Sequence, residues 1–123
     1  MFWQRRKQLP PEAYGPPAVL LDAEGVTAWR AGAVHSRILW SQIESVEIGV
    51  VTAPDMEYAE AFWLLVGEGV EFFAPVEIGV NAEQLTSWLL SLPGFDIESY
   101  RQAREAESKC EAGEFICWRK GNA

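Results

Sequence analysis

Residues 61–75 read AFWLLVGEGVEFFAP. Ala61 to Val66 is apolar at every position, which in so short a run suits a strand covered on both faces. Gly67-Glu68-Gly69 supplies a hairpin turn. Val70 to Ala74 then returns antiparallel to the first run, and Pro75 limits it because proline cannot donate to a strand ladder. Phe62, Trp63, Phe72 and Phe73 therefore fall on both faces of two paired strands. An uncovered aromatic patch of that size is unusual on a monomer. One face is expected to take a helix. The other needs the second helix and last strand, a second copy of the chain in a homodimer, or a partner chain.

Upstream, the pattern predicts four more strands. Ala18 to Leu21 is apolar, Asp22-Ala23-Glu24-Gly25 reads as a turn, and Val26 to Ala31 returns. Val34, Ile38 and Trp40 follow the Ala31-Gly32 turn. Trp40-Ser41-Gln42-Ile43-Glu44 reads as a helical turn or tight bend. Val46, Ile48 and Val50 then alternate with Glu47 and Gly49, the signature of a strand with one wet face. Thr52 to Ala59 is polar, holds Pro54 and reads as a loop.

Downstream, Leu85, Trp88, Leu89 and Leu92 form one apolar stripe at helical spacing. Asn81 is expected to cap that helix, with Gln84 completing a capping box. Pro93-Gly94 stops it. Asp96 can cap a second helix with Ile97, Tyr100 and Ala103 inside, and Glu98–Arg101 and Arg101–Glu105 pairs outside. Glu114 to Arg119 reads as a last strand. The organisation is a flexible tail over 1–16 and one α+β domain over 17–123, a length that buries an adequate core without metal or disulfide.

Composition excludes several classes. A 49% hydrophobic fraction with six tryptophans and six phenylalanines argues against disorder. No apolar run reaches the length of a membrane span. Two cysteines, Cys110 and Cys117, make no disulfide framework, and a reducing cytoplasm is the default compartment. The net charge is −8, and no Lys or Arg occurs between Ile38 and Tyr100, a stretch that carries eleven acids. Such a field repels nucleic acid and anionic lipid and attracts cationic partners. Phe2 and Trp3 beside Arg5, Arg6 and Lys7 suggest a membrane-proximal adaptor as one alternative role. The acidic body opposes it, and a tail that packs back on its own domain or a neighbour fits better.

Strands in meander, then a capped amphipathic helix, with a Trp40-x-x-Ile43-x-x-Val46 bend between two strands, resemble the bacterial pleckstrin-homology-like domains. That resemblance covers residues 18–92 and implies a bent antiparallel sheet or partial barrel with C-terminal helices. Leu92-Pro93-Gly94-Phe95-Asp96, followed by Phe115-x-Cys117-Trp118-Arg119, also resembles an uncharacterised group of small bacterial proteins. The family's phosphoinositide site resembles a basic first hairpin. Here that loop is Asp22-Ala23-Glu24-Gly25, whose carboxylates would repel a phosphate.

Searching for chemistry gives little. His35 is the one histidine, and a small hydrolase-like enzyme using His35 or a carboxylate pair is the alternative function. The cysteine spacing is no zinc motif, no cluster suggests a metal, and no cofactor is implied. The expected function is a non-enzymatic protein-binding module for a basic partner, one version being an immunity-type inhibitor. Glu57, Glu60, Glu68 and Glu71 would supply the electrostatics, and Trp63 and Phe73 the anchors.

Overall fold

In the computed structural model, residues 18–30, 33–52, 59–77 and 79–121 are described. Glu57 and the 1–16 tail lie outside the described residues. Asp22 builds the first turn: its Oδ1 accepts from the amides of Glu24 (2.8 Å) and Gly25 (2.9 Å). This side-chain turn folds β1 (Ala18–Leu21) back onto β2 (Gly25–Arg30), and β3 (Ala33–Leu39) adds antiparallel to β2. Gly25 is required by close approach, because a Cβ there would lie 2.3 Å from the Ile38 carbonyl oxygen.

A 3₁₀ turn at Trp40–Gln42 follows, where the Leu39 amide donates to Gln42 Oε1 at 2.9 Å. Trp40 stacks on Trp88 with centroids 3.9 Å apart. Beyond the turn come β4 (Ser45–Val51), β5 (Glu60–Gly67) and β6 (Val70–Pro75). Helices α1 (Ala82–Leu90) and α2 (Ile97–Ser108) and strand β7 (Gly113–Arg119) complete the chain.

The chain is α+β, with two antiparallel sheets ordered β1-β2-β3 and β6-β5-β4-β7, and no closed barrel among the described residues. The expected bent antiparallel sheet or partial barrel is met in its coarser part, by two antiparallel sheets. The 3₁₀ turn separates β3 from β4, and the edge of β4 that β3 would have used is taken by β7.

The inner face of the four-stranded sheet buries Val46, Ile48, Ala61, Leu65 and Phe72. Leu85 and Leu89 of α1 and Ala103 of α2 are fully buried in the same core, each leucine contributing about 2 kcal/mol of apolar transfer. Trp63 sits at the centre, 0% exposed. Its ring stacks on Tyr100 at 5.9 Å and meets Phe95 edge-on at 6.2 Å. Trp63 Nε1 donates to Thr86 Oγ1 (2.9 Å), which donates to the Val76 carbonyl (3.1 Å). One tryptophan thus ties both helices to the sheet.

Two local expectations change. Asn81 occupies the N-cap position of α1, but its side chain makes no capping bond to the helix. Its backbone is left-handed (φ 65°), and its Nδ2 donates to the Val19 carbonyl at 3.1 Å, pinning the helix start to β1. Arg101 and Glu105 attract each other at longer range without a direct ion-pair contact among the described residues, because Lys109 takes Glu105 at 2.8 Å and Arg101 holds Glu98. The Asp96 cap is present, with Oδ1 accepting from the Ser99 amide at 3.0 Å.

Candidate functional site

Alternation along the strands decides what faces away from the helices. With Val46, Ile48, Trp63, Leu65 and Phe72 inside, the outer face of the sheet carries the residues between them. The ladder arranges these in rows. Phe73, Leu64, Glu47 and Ile116 lie side by side across all four strands, and the next row runs Pro75, Phe62, Gly49 and Glu114. Val51 and Glu60 follow as a cross-strand pair, and Val66 and Glu71 form the row beyond Leu64.

This face forms a groove of about 420 Å³ floored by Gly49, Phe62 and Leu64 and walled by Phe73, Val51 and His35. A Cβ built on Gly49 would meet nothing within 4 Å, so the missing side chain is what opens the trough. Phe73 is 49%, Val51 54% and Ile116 41% exposed. Among the described residues neither helix nor β7 covers them: α2 packs on the inner side, and β7 extends the sheet beside β4. The expected second cover from the C-terminal elements is not there, because both helices converge on Trp63.

Glu47 and Glu114 line the groove, and Glu60 and Glu71 lie outside its lining on the same face. Glu47, Glu60, Glu71 and Glu114 share the outer face and make no ion pair among the described residues. Glu47 Oε2 accepts from Ser45 Oγ at 3.3 Å. Arg119, aligned with Ser45, is the described cation on this face. Other cations are engaged elsewhere: Arg37 with Asp22, Arg101 with Glu98, Arg104 with Glu77 and Glu107, and Lys109 with Glu105. Burial works against the Arg104 charge, yet the bonds to Glu77, Tyr100 and Glu107 raise its pKa.

The sequence-derived site residues separate cleanly. Glu60, Glu71 and Phe73 come together on the outer face, while Glu68 sits in the hairpin turn at its end. That turn borders a second depression of about 660 Å³, lined with Ser41, Gln42, Glu44 and Lys120 and no large apolar side chain. Trp63 does not join them. It is fully buried and presents no surface to a partner, the opposite of its expected place as an anchor. Glu57 lies outside the described residues. Sequence reasoning missed Gly49 and Glu114 as site residues. The Glu47–Gly49 alternation marked a wet face, but Glu114 becomes its neighbour only through β7.

His35 lines the groove wall, exposed, with no hydrogen bond to Glu47, Glu114 or Ser36 among the described residues. Ser36 pairs with buried Ala28, and its Oγ is itself buried and unpartnered there, so the adjacent Ser and His form no dyad. Cys117 sits at the β4–β7 irregularity. Burial, then the charges of Asp96 and Glu47, push its thiol up to about 12. Cys110 is exposed and Cys117 buried. Among the described residues no three His, Cys, Asp or Glu side chains group as metal ligands, and no helix is long and apolar enough to cross a membrane. No protein-family model, curated protein or solved structure matches this chain.

Proposed function

We propose that this chain is a non-enzymatic protein-binding module that seats a basic, partly aromatic segment of another protein on the outer face of β6-β5-β4-β7. The observation that carries the reading is the coincidence of an open apolar floor and carboxylates that make no ion pair among the described residues. Phe62, Leu64 and Phe73 surround the Gly49 trough, Glu47 and Glu114 line it, and Glu60 and Glu71 lie outside the lining on the same face. An apolar anchor supplies affinity, while the carboxylates set orientation and association rate. A volume of about 420 Å³ admits one or two large side chains rather than a whole protein surface. The partner therefore inserts an extended segment or loop.

The likeness to bacterial pleckstrin-homology-like domains, many of which bind peptides or protein surfaces, supports the same reading. An immunity-type inhibitor that blocks a basic protein is its most concrete form. A cytoplasmic setting agrees with a cysteine content of two, too few for a disulfide framework.

Panning a displayed library of random peptides against the full chain tests the proposal. The selected peptides should combine Arg or Lys with Phe or Trp. Their affinity should fall at least tenfold for Gly49→Trp, which fills the trough, and for Glu47→Gln/Glu114→Gln. Their affinity should also fall in high salt. Binding indifferent to both variants and to salt overturns it.

A further inference from the structure

We propose that the cation taken by the trough over Gly49 is a methylated ammonium, carried on an N-methylated lysine of the partner's segment. The inference rests on the groove being a seat for a basic segment and names the side chain that it reads.

The ladder fixes what surrounds that place. Gly49 is paired with Phe62 on β5 and with Glu114 on β7. Each stands one strand spacing away, about 4.8 Å. Glu47 lies two residues back along β4 on the same face, about 7 Å away. A cation seated where Gly49 has no side chain is thus held between an aromatic ring and two carboxylates. At one strand spacing it is inside the range of about 6 Å over which a ring face attracts a cation. A Cβ on Gly49 would meet nothing within 4 Å, so the place is open.

The described part of the chain does not fill it. Among the described residues no Lys or Arg lines the groove, and Glu47 and Glu114 make no ion pair. Phe62 takes part in no ring contact with another described aromatic. The described cation–π contact, Arg104 over Tyr100 at 5.8 Å, belongs to α2 on the inner side of the sheet.

The lining decides between kinds of cation. An unmodified ammonium carries three N–H donors and a guanidinium five. Apart from Glu47, Glu114 and His35, the described side chains that line the groove are apolar. His35 joins this wall through a bulge: Ala28 pairs with Ser36 and Trp29 with Val34, which leaves His35 as the extra residue of β3. Donors that turn to the apolar floor give up water without finding a partner, which costs affinity. A trimethylammonium group has no donor to lose. It keeps its charge for the carboxylates and lays its methyl groups on the floor. A volume of about 420 Å³ exceeds such a head several times over, leaving room for the lysine stem and a neighbouring side chain. That excess favours a lysine on a segment over a free solute.

Short peptides that differ at one position beside a Phe test this. The position holds trimethyllysine, lysine, arginine or the uncharged tert-butyl analogue of trimethyllysine. Each is titrated into the isotope-labelled full chain and read from the amides of Gly49, Phe62 and Glu114. The trimethyllysine peptide should half-saturate the shifts at a concentration about tenfold below the other three. Equal binding by the lysine or arginine peptide overturns the inference and leaves the basic-segment reading standing. Equal binding by the uncharged analogue means that shape alone is read, and overturns it too. Tetramethylammonium chloride that binds as tightly as the peptide assigns the place to a free solute and overturns the lysine source. No binding by any of the peptides also overturns the inference, and the protein-binding reading falls with it only if library-selected peptides fail as well. Phe62→Leu and Glu114→Gln should each cut the margin over the uncharged analogue about threefold. Glu114 is exposed, so its variant keeps the fold. A margin unchanged in both variants overturns the placement over Gly49.

Discussion

Trp63→Phe removes the pyrrole portion of an indole that has no solvent exposure and takes its hydrogen-bond donor with it. The lost bond to Thr86 is worth about 1 kcal/mol. The smaller ring leaves roughly 50 Å² of apolar surface unburied, or about 1.3 kcal/mol, and the residual void adds to that. The total is about 2.5 kcal/mol. For a chain of 123 residues that lowers Tm by about 10 °C. Thr86→Val should cost about 1–3 kcal/mol, because it strands Trp63 Nε1 and the Val76 carbonyl together. The double variant should fall short of the sum by about 1 kcal/mol, since the shared bond can be lost only once. Urea unfolding of the four proteins completes the cycle. A loss below about 0.5 kcal/mol for Trp63→Phe is what a surface residue gives, and it would refute the placement of this ring in the core. Strict additivity would refute the Trp63–Thr86–Val76 chain.

Three further outcomes follow from local geometry. Asp96→Ala should destabilise by about 1 kcal/mol in the same urea assay through loss of the α2 cap, with Asp96→Asn retaining most of it. Burial raises the Asp22 carboxyl, but bonds from Arg37 and from the Glu24 and Gly25 amides outweigh it and hold the group below its ordinary 3.8. Its stabilisation is therefore complete above that value and is lost as pH falls through the lower folded one. Asp22→Asn should be less stable than the parent at pH 7, with the gap closing below about pH 3.8 in a pH series of unfolding curves. Ellman's reagent at pH 8 should titrate one thiol, Cys110, in the folded chain and the second only after denaturant, because Cys117 is buried with its pKa near 12. Two fast thiols would contradict that burial.

What could be read from the sequence was local. The 61–75 hairpin, the Leu85–Leu89 stripe, the Asp22 turn and the Asp96 cap each depend on residues a few positions apart. Asn81 misleads for the same reason: its side chain suits a helix cap and a left-handed turn equally, and only the bond to Val19, 62 residues away, decides between them. Alternation separates Phe62 from Trp63, but which of them meets a helix depends on where α1 and α2 land. Both land on Trp63, so the aromatic assigned to a partner became core, and Phe62 was left on the open side. The break between β3 and β4, and the seat of β7 beside β4, are long-range pairings with no local signal.

The acidic asymmetry of the sequence survives folding in a narrower form. Glu77 and Glu98 are neutralised by α2, and Asp96 is used as a cap. The outer-face set makes no ion pair among the described residues. Glu47 and Glu114 stand on adjacent strands, one row apart along the ladder, which puts their backbones roughly 8 Å apart. At that distance two like charges repel by about 0.5 kcal/mol in water before screening, small enough for the fold to tolerate. The spacing also matches the Debye length of about 8 Å at physiological salt, so a cation lying over Gly49 interacts with both at once. The same geometry that costs the free protein little thus gives a basic ligand two attractions for one charge. The uncharged trough between the two carboxylates gives its neighbouring aromatic side chain a place to go.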